Sequence, residues 1–302
     1  MPHPVIFFWN LLSVQYREIQ CSFIFHCTSI ADIKKGFHKN CCFVILDLLY
    51  TLLPGIRDIT ITLLQQEVLR MNPIGIIGAM DEEVARLKEQ MSGVRITTKA
   101  MMDFYQGTLE GKPVVIVRSG IGKINAAVCT QILADDFQVR AVINTGIAGS
   151  LRSWIDIGDI VISTDALHHD MDATNFGYPL GQVPRMDVLS FKADEAMAQL
   201  AKEVCEEVNP EIHAYLGRVV SGDQFIADSE VKNRILDNFG GYCTEMEGAA
   251  IAHTAYLNKV PFVILRAISD KADNSATMDY PTFEKQAIEH SVRLTMGMLK
   301  RM

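Results

Sequence analysis

Several acidic side chains in this sequence stand where a carboxylate has a physical reason to be. Glu245 and Glu247 bracket Met246 in Thr244-Glu245-Met246-Glu247, directly ahead of Gly248-Ala249-Ala250-Ile251-Ala252-His253. Unpaired N–H groups and the macrodipole at a helix N-terminus favour negative charge, so both acids could be plain first-turn residues. The helix that follows is too apolar and too rich in small residues for a solvated surface helix, so its start is expected to be packed inside. A carboxylate held inside must bond something polar, either protein or ligand. Downstream, Val260-Pro261-Phe262-Val263-Ile264-Leu265-Arg266 reads as a buried strand running into Ala267-Ile268-Ser269-Asp270. Ligands of open α/β sheets sit at such carboxyl ends. A further acidic cluster, Asp81-Glu82-Glu83, opens a helix just after another short buried strand. His168, His169 and Asp170 have the composition of a metal cluster. Consecutive histidines point in diverging directions, however, so the structural reading is preferred and no metal is expected.

The elements that must position these groups alternate along the chain. Residues 74–78 read as a strand, 81–87 as a helix, 104–109 and 112–118 as a hairpin turning at Glu110-Gly111, and 124–135 as a helix. Residues 139–144 read as a strand ending at Thr145-Gly146-Ile147-Ala148-Gly149, and 159–163 as the next. Residues 217–226 read as a strand ending in Phe225-Ile226, and 283–298 as an amphipathic terminal helix. Gly78, Gly120, Gly122, Gly146 and Gly149 all follow strands, where glycine permits close backbone approach to a ligand. None forms a dinucleotide fingerprint or a P-loop. From Met71 onward the chain reads as one α/β domain.

Length and charge narrow the classes. A chain of 302 residues with 49% hydrophobic content has ample core for one large domain. Its net charge of −8 argues against a nucleic-acid partner but not against a nucleoside-sized ligand. Four of the seven cysteines fall within the first 43 residues, and no pair has zinc-ligand spacing, so neither a disulfide framework nor zinc is expected. The reading is cytoplasmic. Residues 1–70 have a different texture, crowded with aromatics and without sustained period. The most apolar run, 41–53, is interrupted by Asp47 and falls short of the ~20 residues a membrane span needs, so no membrane partner is expected. Gln66-Glu67-Val68 can be encoded by a bacterial ribosome-binding sequence two codons before Met71. The expectation is that 1–70 is a leader outside the domain, with 71–302 the functional unit; the alternative is a genuine N-terminal extension.

Taken in order, Gly75-Ile76-Ile77-Gly78-Ala79-Met80, Ser119-Gly120-Ile121-Gly122-Lys123, Asn144-Thr145-Gly146-x-Ala148-Gly149, Ser221-Gly222-Asp223-x-Phe225-Ile226, Glu245-Met246-Glu247 and Arg266-Ala267-Ile268-Ser269-Asp270 make a pattern. From Met71 the chain resembles bacterial 5′-methylthioadenosine/S-adenosylhomocysteine nucleosidases, within the nucleoside phosphorylase/hydrolase superfamily. The resemblance implies a single three-layer α/β/α domain around a central mixed sheet, a homodimer, and no metal or other cofactor. It also implies hydrolysis of a nucleoside to adenine and a 5-thioribose. By the same resemblance the catalytic acid falls on Asp270 and the water-activating base on Glu83, with Glu82 as the alternative base. Glu247 is then the ribose-diol carboxylate, and Phe225 and Ile226 the adenine contacts. Met246, Arg266, Ser269, Ile121, Met80, Tyr280 and Gly149 join them around the substrate. Phe176 and Tyr178 sit on a loop expected to reach a partner's 5′-thio pocket.

The chemistry is consistent with that assignment. Cleaving a purine from ribose builds positive charge on the sugar and negative charge on the base, so a proton donor, a water-activating carboxylate and a diol-binding carboxylate each lower the barrier. Two departures stand out: Ile147 replaces the usual serine, and Tyr280 stands where phenylalanine is common. The rival enzymes of the same fold are a purine nucleoside phosphorylase and a futalosine or AMP hydrolase. Glu82, Asn144 and Ile147 at the corresponding phosphate positions disfavour phosphorolysis. A non-catalytic nucleoside binder would have no need of both acid and base.

Overall fold

The computed structural model describes residues 72–302, which lie within one compact unit, Val68–Met302. The expectations for residues 1–70 and for a start at Met71 fall outside the described residues. The elements follow in chain order as β1 (Ile74–Gly78), α1 (Asp81–Glu89), β2 (Ser92–Lys99), β3 (Met102–Leu109), β4 (Lys112–Arg118), α2 (Lys123–Asp135), β5 (Ala141–Ser150) and β6 (Ile160–His168). They continue with β7 (Phe191–Lys192), α3 (Glu195–Val208), β8 (Ala214–Ser221), α4 (Ser229–Phe239), β9 (Cys243–Glu245), α5 (Gly248–Asn258), β10 (Phe262–Asp270) and α6 (Ala276–Arg301). Asp81, Glu82 and Glu83 fill the first turn of α1, where they complement the helix dipole.

The ten strands among the described residues join one mixed sheet. Its path runs β10-β6-β8-β9-β5-β1-β4-β3-β2, with β7 on β6 and a further pairing of β10 with β5. That last pairing closes β5, β10, β6, β8 and β9 into a ring, from which β1, β4, β3 and β2 extend as an open arm. β5 holds the two together, parallel to β1 over Ala141–Asn144 and parallel to β10 from Val142 to Gly149.

Alternation along the strands sets the layers. Ile74 and Ile76 of β1, Ile143 of β5 and Leu265 of β10 pack with Val84 and Leu87 of α1, Met197 of α3 and Leu294 of α6. Ile77, Val142 and Ile264, on the other face, pack with Ala126, Cys129 and Leu133 of α2 and with residues 249–252 of α5. The three-layer α/β/α domain around a mixed sheet is therefore as expected. Among the described residues no helix is long and apolar enough to cross a membrane.

Several boundaries differ from the sequence reading. β5 does not end at Asn144 but continues through the Thr145–Gly149 motif to Ser150, buried along its length, because β10 and β9 pair with it there. β8 stops at Ser221, which leaves residues 222–226 as loop. The last helix begins at Ala276 rather than Phe283 and carries Pro281 inside it. Proline has no N–H, so the Thr277 carbonyl lacks its helical donor. β2, α3 and α4 had no counterpart in the sequence reading.

Candidate active site

The ends of four strands meet at one place. Asp270, the last residue of β10, is paired with Gly149 of β5; Gly149 also faces Thr244 of β9, and Glu245 of β9 is paired with Ser221 of β8. A cavity of about 400 Å³ opens there, within the range of small-molecule sites. Its polar floor includes Glu83, Glu245, Glu247, Arg266, Ser269 and Asp270, and its apolar walls include Met80, Ile121, Phe225, Ile226, Met246 and Tyr280. Gly149 belongs to the floor too. A Cβ on it would stand 2.7 Å from Asp270 Oδ1 and 2.8 Å from Ala272 Cβ, so only glycine lets β5 approach the carboxylate this closely.

Each carboxylate is held differently. Glu83 is buried on α1, and its Oε2 accepts from the N–H groups of Ala79 at 2.6 Å and Met80 at 3.1 Å. Its Oε1 accepts from Ile147 N–H at 3.1 Å. Burial raises its pKa against the opposing pull of Arg266 and these amides. Glu82, beside it, is exposed and does not line the cavity, so of the two candidate bases only Glu83 reaches the site. Asp270 Oδ1 accepts from Ala272 N–H at 2.7 Å and Oδ2 from the Ser269 hydroxyl at 2.9 Å. Burial again raises its pKa, with those two bonds opposing.

Glu245 and Glu247 part company. Glu245 is committed to protein: it accepts from Glu247 and Gly248 N–H groups at the start of α5, from the Ser221 hydroxyl, and from Arg266 Nη2. Glu247 occupies the N-cap of α5 and accepts from Gly122 N–H at 2.9 Å and Arg266 Nη2 at 3.3 Å. Burial raises its pKa; Arg266 opposes the shift, and the neighbouring Glu245 charge adds to it. Arg266, buried itself, bonds Ile147 O and Asn144 Oδ1 and lies among Glu83, Glu245 and Glu247. Burial works against its charge, yet those carboxylates keep its pKa above the ordinary value.

The sequence reading missed some of the lining. Thr244, Gln224, Ala148, Ile147, Thr277 and Pro281 also face the cavity. Thr244 and Gln224 sit inside motifs already singled out. Thr277 and Pro281 were hidden because α6 begins a full two turns earlier than expected. Arg266 Nε and Thr244 Oγ1 are buried without a protein partner, which leaves two polar atoms for a ligand. Phe176 and Tyr178, by contrast, do not line this cavity, and Phe176 is 85% exposed. His168 packs edge-on against Phe191 and His253. Among the described residues no group of His, Cys, Asp and Glu is arranged to hold a metal ion.

The pattern of the phosphorylase superfamily matches residues 73–300. The chain belongs to that superfamily. Within it, the chain is 43% identical over 228 residues to a 5′-methylthioadenosine/S-adenosylhomocysteine nucleosidase of Staphylococcus carnosus, an alignment covering 75% of this chain and 99% of the relative. The Neisseria meningitidis nucleosidase of the same name, solved in complex with methylthio-immucillin-A, is 38% identical with a TM-score of 0.74. The match covers 76% of this chain and all of that one. A futalosine hydrolase of Helicobacter pylori is also similar, at 31% identity and a TM-score of 0.73, over 77% of this chain and 99% of its own.

Proposed function

We infer that this chain hydrolyses the N-glycosidic bond of 5′-methylthioadenosine and S-adenosylhomocysteine, releasing adenine and the 5-thioribose. In this reading Asp270 gives its proton to N7 of the departing adenine as the bond between N9 and the anomeric carbon breaks. Its raised pKa keeps that proton available. Glu83 takes a proton from the water whose oxygen bonds the anomeric carbon. Glu247 accepts from the two ribose hydroxyls and favours the cationic sugar. Phe225 and Ile226 flank the base, and Met246, Met80, Ile121 and Tyr280 surround the thio-sugar, where a soft thioether suits an apolar wall.

The observation that carries hydrolysis over phosphorolysis is the state of Arg266. Among the described residues lining the cavity it is the one cation, and it is already engaged by Glu245 and Glu247 with Glu83 beside it. A phosphate there would meet the three carboxylates gathered around that guanidinium. Ile147 has no side-chain donor to offer, and its backbone N–H is already bonded to Glu83. The test is incubation of the purified protein with 5′-methylthioadenosine, with and without phosphate, and identification of the sugar. Free 5-thioribose at a phosphate-independent rate is expected; the 1-phosphate would overturn the assignment. Futalosine in the same assay separates the second reading, which the Helicobacter pylori futalosine hydrolase supports at 31% identity against 43% for the Staphylococcus carnosus nucleosidase.

The exposed Phe176 and the neighbouring Tyr178 support a homodimer in which this loop covers the partner's 5′-thio pocket. The chain is read as cytoplasmic, and residues 71–302 as its functional unit.

A further inference from the structure

The wall formed by residues 224–226 is loop, and one of its members, Phe225, is 51% exposed. Something must hold it at a fixed distance from the floor if it is to grip a planar base. Three charged residues outside the cavity lining do so. Lys123 Nζ donates to both carboxylate oxygens of Asp170, at 2.6 and 2.7 Å. Asp170 Oδ2 also accepts from Asp223 N–H at 3.0 Å, and Asp223 Oδ1 accepts from Lys123 N–H at 2.9 Å. Lys123 opens α2, Asp170 lies in the turn just after β6, and Asp223 immediately precedes Gln224. One residue earlier on α2, Gly122 N–H bonds Glu247. Gly122 has φ 97°, and a Cβ there would come within 3.3 Å of Asp223 Oδ1. The N-terminus of α2 therefore hands one N–H to the floor carboxylate and the next to the wall loop.

We propose that Lys123, Asp170 and Asp223 form a tether that positions the wall at 224–226 relative to Glu247, and so sets how tightly the nucleobase is bound. They are positioning residues: they touch neither Glu83 nor Asp270, and the chemical step does not run through them. This rests on reading the cavity as a nucleoside site. Losing the tether removes binding that ground state and transition state share, so KM rises while kcat holds.

The test measures 5′-methylthioadenosine kinetics and, separately, adenine affinity by calorimetry, for the parent chain, Asp223→Ala, Lys123→Met and Asp223→Asn. The Ala and Met variants are expected to raise KM and the adenine Kd about tenfold, the weight of one charge-assisted hydrogen bond, with kcat within about threefold. Asp223→Asn keeps an oxygen for the Lys123 N–H and is expected to stay within about twofold of the parent in both. Unchanged KM and adenine Kd in both disruptive variants, or Asp223→Asn as impaired as Asp223→Ala, overturns the tether. A parent that binds adenine yet leaves 5′-methylthioadenosine intact overturns the functional reading instead, and the adenine titrations still decide the tether.

Discussion

Gly146→Ala is expected to disable the site without touching a carboxylate. Gly146 lies in β5 opposite Arg266 of β10. A Cβ there would stand 2.4 Å from Arg266 Nη1, 2.4 Å from Glu83 Oε1 and 2.9 Å from Glu83 Cδ, where ordinary contact begins at 3.4 Å. Both side chains must therefore retreat by about 1 Å. Glu83 cannot do so and keep its anchors: its 3.1 Å bond from Ile147 N–H stretches to about 4 Å, beyond hydrogen-bond range. Losing a buried charge-assisted bond costs about 1.5–3 kcal/mol, and overpacking a buried strand adds about 1–3 kcal/mol. At roughly 2–4 °C per kcal/mol for a domain of this size, the melting temperature should fall by about 10 °C. The displaced base should also lose about a hundredfold in kcat, the usual consequence of a 1 Å misplacement. Thermal melting and steady-state kinetics on 5′-methylthioadenosine, run well below the lowered transition, read the two effects separately. A variant with kcat within about fivefold of the parent would show that the tight packing of Gly146, Glu83 and Arg266 does not matter to the chemistry.

Glu83→Gln and Asp270→Asn should each lower kcat by about 10²–10⁴-fold while circular dichroism shows an intact fold; normal turnover in Glu83→Gln but not in Glu82→Gln would move the base to the exposed neighbour. Ser269→Ala removes a hydroxyl that donates to the Asp270 carboxylate and so favours its charged form. The Asp270 pKa then rises further, and the alkaline limb of the kcat/KM profile should shift to higher pH; a shift to lower pH, or none, would separate that limb from Asp270. A chain starting at Met71 should match the full chain in kcat/KM and melting temperature, because β1 begins at Ile74 and every residue assigned to the site lies beyond it. Loss of activity on that truncation would give residues 1–70 a working role.

The site was legible because its chemistry is concentrated in short motifs at strand ends. Asp270 closes a strand of nine buried residues, and Glu83 stands in an acidic first turn after an equally clear strand. The residues alone did not choose between Glu245 and Glu247; the family resemblance gave the diol role to Glu247. Both sit at the same helix start and both line the cavity, and only three-dimensional placement shows Glu245 taken up by the α5 amides and Ser221. The length of β5 was hidden for a related reason. Motifs rich in glycine and small residues look like loops until a neighbouring strand supplies hydrogen bonds, as β10 does for Gly146–Gly149. Helices α3 and α4 carry the strongest amphipathic patterns but no chemical motif, and a reading led by motifs passed over them. Thr277 and Pro281 were obscured because proline argues against helix, whereas α6 accommodates it within its first two turns.

The closed ring of β5, β10, β6, β8 and β9 divides the cavity into two mechanical classes. Arg266 and Gly149 are paired on both flanks, and Asp270 and Glu245 on one, so none of them can shift without breaking a ladder. Ile121, Glu83, Glu247 and the start of α6 lie on loops or helix ends outside the ladders, and residues 224–226 are held there by the Lys123-Asp170-Asp223 bonds instead. In the proposed reading the proton donor Asp270 therefore stands on the ring, and the residues that would choose the 5′-substituent stand off it. An engineer seeking a different 5′-substituent could redraw Tyr280, Pro281 and Thr277 while leaving the bond-breaking apparatus as it stands.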